Sequence, residues 1–209
     1  NSTGDYAVQS CLAKYGLKKA DVVIKSMGQA EIISAVSSNN ADLAGLWAPN
    51  IYTLEEKAGA KVICSGKDAG AFVPAALIVR AEYAKEQPQN VAKFLAIYLR
   101  AWKWMNAHPA EAVALMKAFY EQGGVSISEA SMKKEFATRP VYDLAGQMKV
   151  MNRAGGPSDV DGWMTKIGDF MKAAGTLPEA PAAGNYITDE YMKLVERDPK
   201  LKEFANRAN

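Results

Sequence analysis

Asn1-Ser2-Thr3-Gly4-Asp5-Tyr6 and Asn40-Ala41-Asp42-Leu43-Ala44-Gly45-Leu46-Trp47-Ala48-Pro49 are the two stretches whose reading decides the fold. The first runs straight into helical periodicity, with Val8, Cys11, Leu12 and Tyr15 on one face and Gly16 as the stop. Ser2 and Asp5 have the spacing of a capping box, in which hydroxyl and carboxylate each satisfy an orphan amide of the first turn. A small, hydroxyl-bearing helix start also favours anions, because free N–H groups and the positive end of the helix dipole point outward there. The second stretch reads as a short strand from Asp42 to Trp47. Pro49 then turns the chain and keeps Trp47 at the rim of a sheet.

Working outward, helix and strand alternate up to about residue 66. Asp21 to Lys25 is a β-branched run and predicts a strand. Gly28 to Ser37 predicts a helix with Ile32, Ile33 and Val36 inward, ended by the polar run Ser37 to Asn40. Pro49 and Asn50 start a short helix through Lys57, and Ala60 to Cys64 predicts a further strand. This alternation predicts an α/β lobe with a parallel sheet, whose ligand side is the carboxyl end of its strands. Lys67 to Ala71 is Gly/Ala-rich and reads as flexible, and the apolar Phe72 to Val79 reads as a strand crossing to another lobe. From Pro88 the character is nearly all helix, with Val91, Phe94, Leu95, Tyr98, Trp102 and Met105 on one stripe. His108-Pro109 breaks that helix. Others are predicted over 110–121, 127–137, 143–152, 160–173 and 188–197, with a loop at 178–184.

A chain of 209 residues that is 49% hydrophobic can bury a real core. Its 25 basic and 23 acidic residues are well mixed, which gives no nucleic-acid footprint. No apolar run approaches the length of a membrane span. Cys11 and Cys64 are expected as buried free thiols. A disulfide stays open in an oxidising compartment, because sequence cannot tell how close their Cα atoms lie. With His108 as the single histidine and two separated cysteines, neither a zinc site nor a nucleophilic triad is in view. Asp42 is a lone strand carboxylate without a partner for acid/base work. Trp102 and Trp163 fall on apolar stripes and are expected in the core. The inventory is that of a binder.

Five segments occur in an order and spacing that span nearly the whole chain. They are the Ser2-Thr3-Gly4 start, Ala41 to Pro49, Pro88 to Leu95, Asn106 to Ala112, and Asp169-Phe170-Met171 through Gly175-Thr176-Leu177. In combination they resemble periplasmic solute-binding proteins of ABC importers, of the nitrate/sulfonate/taurine type. The resemblance implies a two-lobed α/β clamshell, with a parallel-sheet lobe and a largely helical C-terminal part. Residues 1–66 would be the second lobe lacking its first strand, 67–79 the crossover strand and hinge, and 80–209 the helical part of the first lobe. The chain would then be the C-terminal two-thirds of a longer protein, its signal peptide outside this stretch.

The function so implied is capture of a small anionic solute, sulfonate-, nitrate- or carboxylate-like, between the lobes and its delivery to an ABC importer permease. No cofactor, metal or nucleic acid is expected, and contact with the membrane complex would be peripheral, from a periplasmic or lipid-anchored position. The candidate ligand-binding residues are Ser2, Thr3 and Gly4 for the anion, Trp47 as an apolar wall, and Asp42 and Pro49 beside it. Residues 69–79 offer no carboxylate for a ligand ammonium, which argues against zwitterions such as taurine. Two rivals share the fold: a pyrimidine-precursor synthase-like enzyme, which would need a Cys/His metal cluster, and a ligand-sensing domain.

Overall fold

A computed structural model describes residues 2–139 and 141–209. Eleven α-helices are formed among them: α1 Thr3–Lys14, α2 Gln29–Ser37, α3 Asn50–Ala58, α4 Ala81–Glu86, α5 Pro88–Ala107, α6 Pro109–Gln122, α7 Glu129–Thr138, α8 Leu144–Val150, α9 Asp159–Ala173, α10 Glu190–Arg197 and α11 Pro199–Asn206. The chain divides into two compact units. One runs up to Val73 and adds Met116–Ala137 and Lys166–Ala180. The other comprises Pro74–Leu115, Thr138–Thr165 and Pro181–Asn209.

No β-strand forms among the described residues, so the α/β clamshell with a parallel-sheet lobe is corrected to an all-helical architecture with extended connections. The segments expected as strands, 21–25, 42–47, 60–64 and 72–79, carry the apolar residues that suggested them. They make no ladder of backbone hydrogen bonds with one another. A strand is defined by its partner, and β-branched composition specifies only that a segment suits a pleated surface. Their side chains lie largely in solvent: Val23 is 88% exposed and Ile78 96%, and Leu43, Ile63, Leu77 and Val79 are exposed as well.

In the first unit, Tyr6 and Leu12 of α1, Tyr52 and Leu54 of α3, Ile127, Met132 of α7 and Ile167 of α9 are buried. The Tyr6 ring meets Phe170 with centroids 5.3 Å apart. Cys11 and Cys64 form a disulfide, which corrects the expectation of two free thiols. It is flanked by hydrogen bonds from Tyr15 Oη to the Ile63 carbonyl (2.7 Å) and from Lys14 Nζ to the Asp68 carbonyl (3.1 Å). The Gly/Ala-rich run is a closed turn rather than a slack tether. The Asp68 carboxylate accepts from Ser65 N and Oγ, and a Cβ on Gly66 would lie 2.6 Å from the Ala71 carbonyl oxygen. Helix α3 is tied to α7 by charge. Lys134 Nζ meets Glu55 at 2.9 Å, while the Glu56 carboxylate accepts from Ser128 N and Ser131 Oγ at the start of α7. Those hydrogen bonds hold the Glu56 carboxyl below its ordinary range.

In the second unit, α5 packs on α10 and α11, and α8 on α10, around Ala92, Ala96, Leu99, Leu144, Met192, Val195 and Ala205. The buried face of α5 is therefore the stripe Ala92, Leu95, Ala96 and Leu99. Phe94 and Tyr98, expected inward, are exposed. Two alanines let the neighbouring helix axes approach closely, and that gain outweighs burial of the larger rings. Trp102 and Trp163 are half-buried rather than core. His108 closes α5, its ring stacked on Trp104 at 4.9 Å and its Nδ1 2.9 Å from the Trp104 carbonyl. Ser158 and Asp161 form the capping box of α9. Arg153 grips the same carboxylate with two bonds of 2.7 Å and donates a third to the Ile187 carbonyl.

Two outcomes follow. Replacing both Cys11 and Cys64 by Ser opens a loop of sequence separation 53. By loop-closure entropy this lowers the unfolding free energy by about 4 kcal/mol, to be read from urea titrations of the oxidised chain and the double variant. The second outcome concerns acid. Hydrogen bonds from Arg153, supported by Ser158, hold the Asp161 carboxyl far below the usual carboxylate range. The unfolded chain thus takes up that proton first. The contribution is whole above pH ~4 and is lost as pH falls below it towards the folded value. Asp161→Asn is expected to cost about 3 kcal/mol at neutral pH and to flatten part of the acid slope of stability. An unchanged slope in acid-unfolding curves would overturn this account.

Candidate functional site

Helix α1 begins as its sequence dictates. Ser2 is extended (φ −153°, ψ 173°), and its Oγ accepts from Asp5 N at 3.4 Å. The Ser2 carbonyl takes the first intrahelical bond, from Tyr6 N. The amides of Thr3 and Gly4 thus belong to the open end of the helix, where no carbonyl of the preceding turn can reach them. Asp5 Oδ1 accepts from Gln9 Nε2 at 2.9 Å, one turn further along the helix.

Trp47 sits on this helix start. A Cβ on Gly4 would lie 2.7 Å from Trp47 Cζ3, so the indole occupies the space that any side chain at residue 4 would need. Two residues earlier, a Cβ on Gly45 would lie 2.4 Å from Val8 Cγ2, one turn further down α1. Segment 45–47 therefore runs along α1, and two glycines permit it. Trp47 is 47% exposed and offers apolar surface near the Ser2 hydroxyl.

The chain turns directly after the indole. The Ala48–Pro49 peptide is cis, Pro49 caps α3, and the Trp47 carbonyl accepts from Asn50 N at 2.9 Å. Asn50 Nδ2 in turn reaches Gln29 Oε1 at the first residue of α2, at 3.4 Å. The N-terminal ends of α1, α2 and α3 are thus linked through Trp47 and Asn50. The α2 end carries its own carboxylate, Glu31 Oε2 on Gly28 N at 2.8 Å, whereas the first turn of α3 has no acidic residue. Helix starts present unpaired backbone N–H groups that suit an anion, and here Asp5 and Glu31 offset part of the positive dipole ends of α1 and α2.

Of the six candidate residues, Ser2, Thr3, Gly4, Trp47 and Pro49 fall in this one neighbourhood. Asp42 is solvent-exposed, and no contact among the described residues ties it to the indole. Gly45, Gln29 and Asn50 escaped the sequence reading. The glycine had a legible signal in the small residue two before Trp47, but the Asn50–Gln29 link is long-range and had none.

The family model described as NMT1/THI5 like matches residues 1–112. Proteins of Brucella abortus and Brucella suis, each called a "putative binding protein", are 26% identical over 194 residues. That alignment covers 91% of this chain and 58% of theirs. The chain thus spans little more than half the length of these curated relatives. A Bacillus subtilis protein called a "putative aliphatic sulfonates-binding protein" is 30% identical over 95 residues, 46% of this chain and 29% of that one. Among the described residues no helix is long and apolar enough to cross a membrane.

The glycine contacts give a direct test of the geometry. Gly45→Ala meets a β-branched side chain that cannot step aside, and should cost about 1–3 kcal/mol. Gly4→Ala meets only the far edge of a half-exposed ring. It should displace the Trp47 indole, seen in its N–H resonance, while the helical preference of alanine keeps stability within about 1 kcal/mol. An unmoved Trp47 resonance would refute the contact.

Proposed function

Since this chain belongs to the NMT1/THI5-like family, we propose that it forms part of a binding protein that captures a small organic anion and hands it to an ABC importer permease outside the cytoplasm. The observation carrying this reading is the gathering of helix starts about Trp47. The amides of Thr3 and Gly4 and the hydroxyls of Ser2 and Thr3 make a compact donor set for an oxoanion. The indole supplies apolar surface for whatever carbon the anion carries. An aliphatic sulfonate combines these two demands, three acceptor oxygens on a short alkyl body, and the name of the Bacillus subtilis relative supports that ligand class. Pro49 fixes the turn behind the indole.

The role proposed is binding without catalysis. The relatives carry binding-protein names, and the two cysteines that a metal-centred enzyme would draw on are bonded to each other. Transfer to a permease and an extracytoplasmic location are parts of the same proposal, resting on those relatives.

Calorimetry with ethanesulfonate, on the complete natural protein that carries these residues, tests the reading. Thr3→Ala should weaken binding by about 1–2 kcal/mol, the scale of a hydrogen bond to a charged acceptor. Trp47→Ala should cost more with butanesulfonate than with methanesulfonate, since each buried methylene contributes about 0.8 kcal/mol. An unaltered affinity in Thr3→Ala would remove the anion from this helix start.

A further inference from the structure

The second unit holds a cavity of about 390 Å³ that the proposed anion site does not use. Its floor is one face of α5, formed by Leu99, Trp102, Lys103 and Asn106 at helical spacing i, i+3, i+4, i+7. Tyr142 and Leu144, at the entry to α8, line it as well. The Tyr142 ring is held over the first turn of α8. A Cβ on Gly146 would lie 3.1 Å from Tyr142 Cδ1, so ring and helix are in close contact there. Trp102 is braced from the other side by Tyr98, edge to face with centroids 6.3 Å apart.

The charged groups around the cavity differ in how far they are committed. Arg100 lies over the Phe204 ring at 4.5 Å and donates to the Asn209 carbonyl at 2.5 Å. Asp143 lines the cavity, but its Oδ1 is the N-cap of α8 and accepts from Gly146 N at 2.9 Å. Among the described residues, Lys103 Nζ, the Asn106 amide and the Tyr142 hydroxyl have no hydrogen bond or ion pair to another side chain or carbonyl. A cavity of this size, apolar in its body and edged by a few uncommitted polar groups, has the make-up of a small-molecule site.

We propose that this cavity binds a small organic acid with a flat one- or two-ring body. The ring lies between Trp102 and Tyr142, and the carboxylate meets Lys103 and Asn106. Lys103 selects the anion, because its ammonium has no ion-pair partner among the described residues, whereas one oxygen of Asp143 is directed at the start of α8. Ring stacking selects the body.

The test is a titration of the full chain with 1-naphthoate, followed on the Trp102 indole N–H resonance, which is assigned by its loss in Trp102→Phe. A saturable shift of Trp102 is expected while the Trp47 resonance stays in place. Lys103→Met should raise the dissociation constant for 1-naphthoate about tenfold and leave that for 1-naphthalenemethanol unchanged. Absence of a saturable shift up to roughly 10 mM, beyond the weakest specific binding, would overturn the proposal. So would an equal response of Lys103→Met to the acid. Thr3→Ala should leave this titration unaltered, so failure here and failure of the anion site at α1 are read separately.

Discussion

The bond between Cys11 and Cys64 is the constraint on which the candidate anion site rests. It fixes the middle of α1 to the segment that ends at Ser65, and the loop it closes contains α2, α3, Gly45, Trp47 and Pro49. That segment has no sheet to hold it, so its position depends on a few contacts with α1: the disulfide, Tyr15 on Ile63 and Lys14 on Asp68. With the far end of α1 fixed in this way, its start meets the indole in a defined pose. The Gly4 and Gly45 contacts then set the distance at which chain and helix run side by side. A larger residue at either place would force them apart, and the donor set and the apolar wall would no longer share one neighbourhood.

What the sequence made legible was local. Ser2 at the start of α1, Asp143 at the start of α8, Pro88 opening α5 and His108-Pro109 ending it all act within one turn, through caps and the missing proline N–H. The expected strands failed for the opposite reason. The run at 21–25 and the apolar 72–79 describe side chains suited to a pleat, but pairing is supplied by another segment, and nothing in a single run encodes it. The disulfide was invisible on the same ground, being a long-range distance. On α5 the reading followed size and chose Phe94 and Tyr98. The structure instead buried Ala92 and Ala96, because close approach of α10 and α11 favours the small face. Helix α11 was missed because Asp198 ends α10 and caps α11 at once, its Oδ1 taking the amides of Lys200 and Leu201.

The candidate site was legible in its parts and not in its assembly. Ser2, Thr3 and Gly4 announced themselves by capping chemistry, and Trp47 by its place before Pro49. That the two meet depends on Gly45, whose absent side chain lets the chain lie along Val8. The link from Asn50 to Gln29, which brings α2 alongside α3, joins two side chains that look like ordinary surface amides.

Electrostatics alone would not decide what the proposed site holds. A helix start acts as about half a positive charge, so an anion some 4 Å from one gains about 2 kcal/mol at an effective dielectric of about 20. A carboxylate about 8 Å away takes back a similar amount. Asp5 lies in the first turn of α1, and Glu31 occupies the end of α2, so the long-range terms nearly cancel. Selectivity then falls to direct donors, the Thr3 and Gly4 amides and the two hydroxyls, whose strength depends on distance and angle. Such donors reward a ligand whose oxygens match their spacing and penalise one that leaves them dry. The indole beside them sharpens this by excluding water from one flank, which raises both the gain of a good fit and the cost of a poor one. The proposed site would discriminate by shape, and it would depend on Gly4, the residue that lets Trp47 come so close to the helix start.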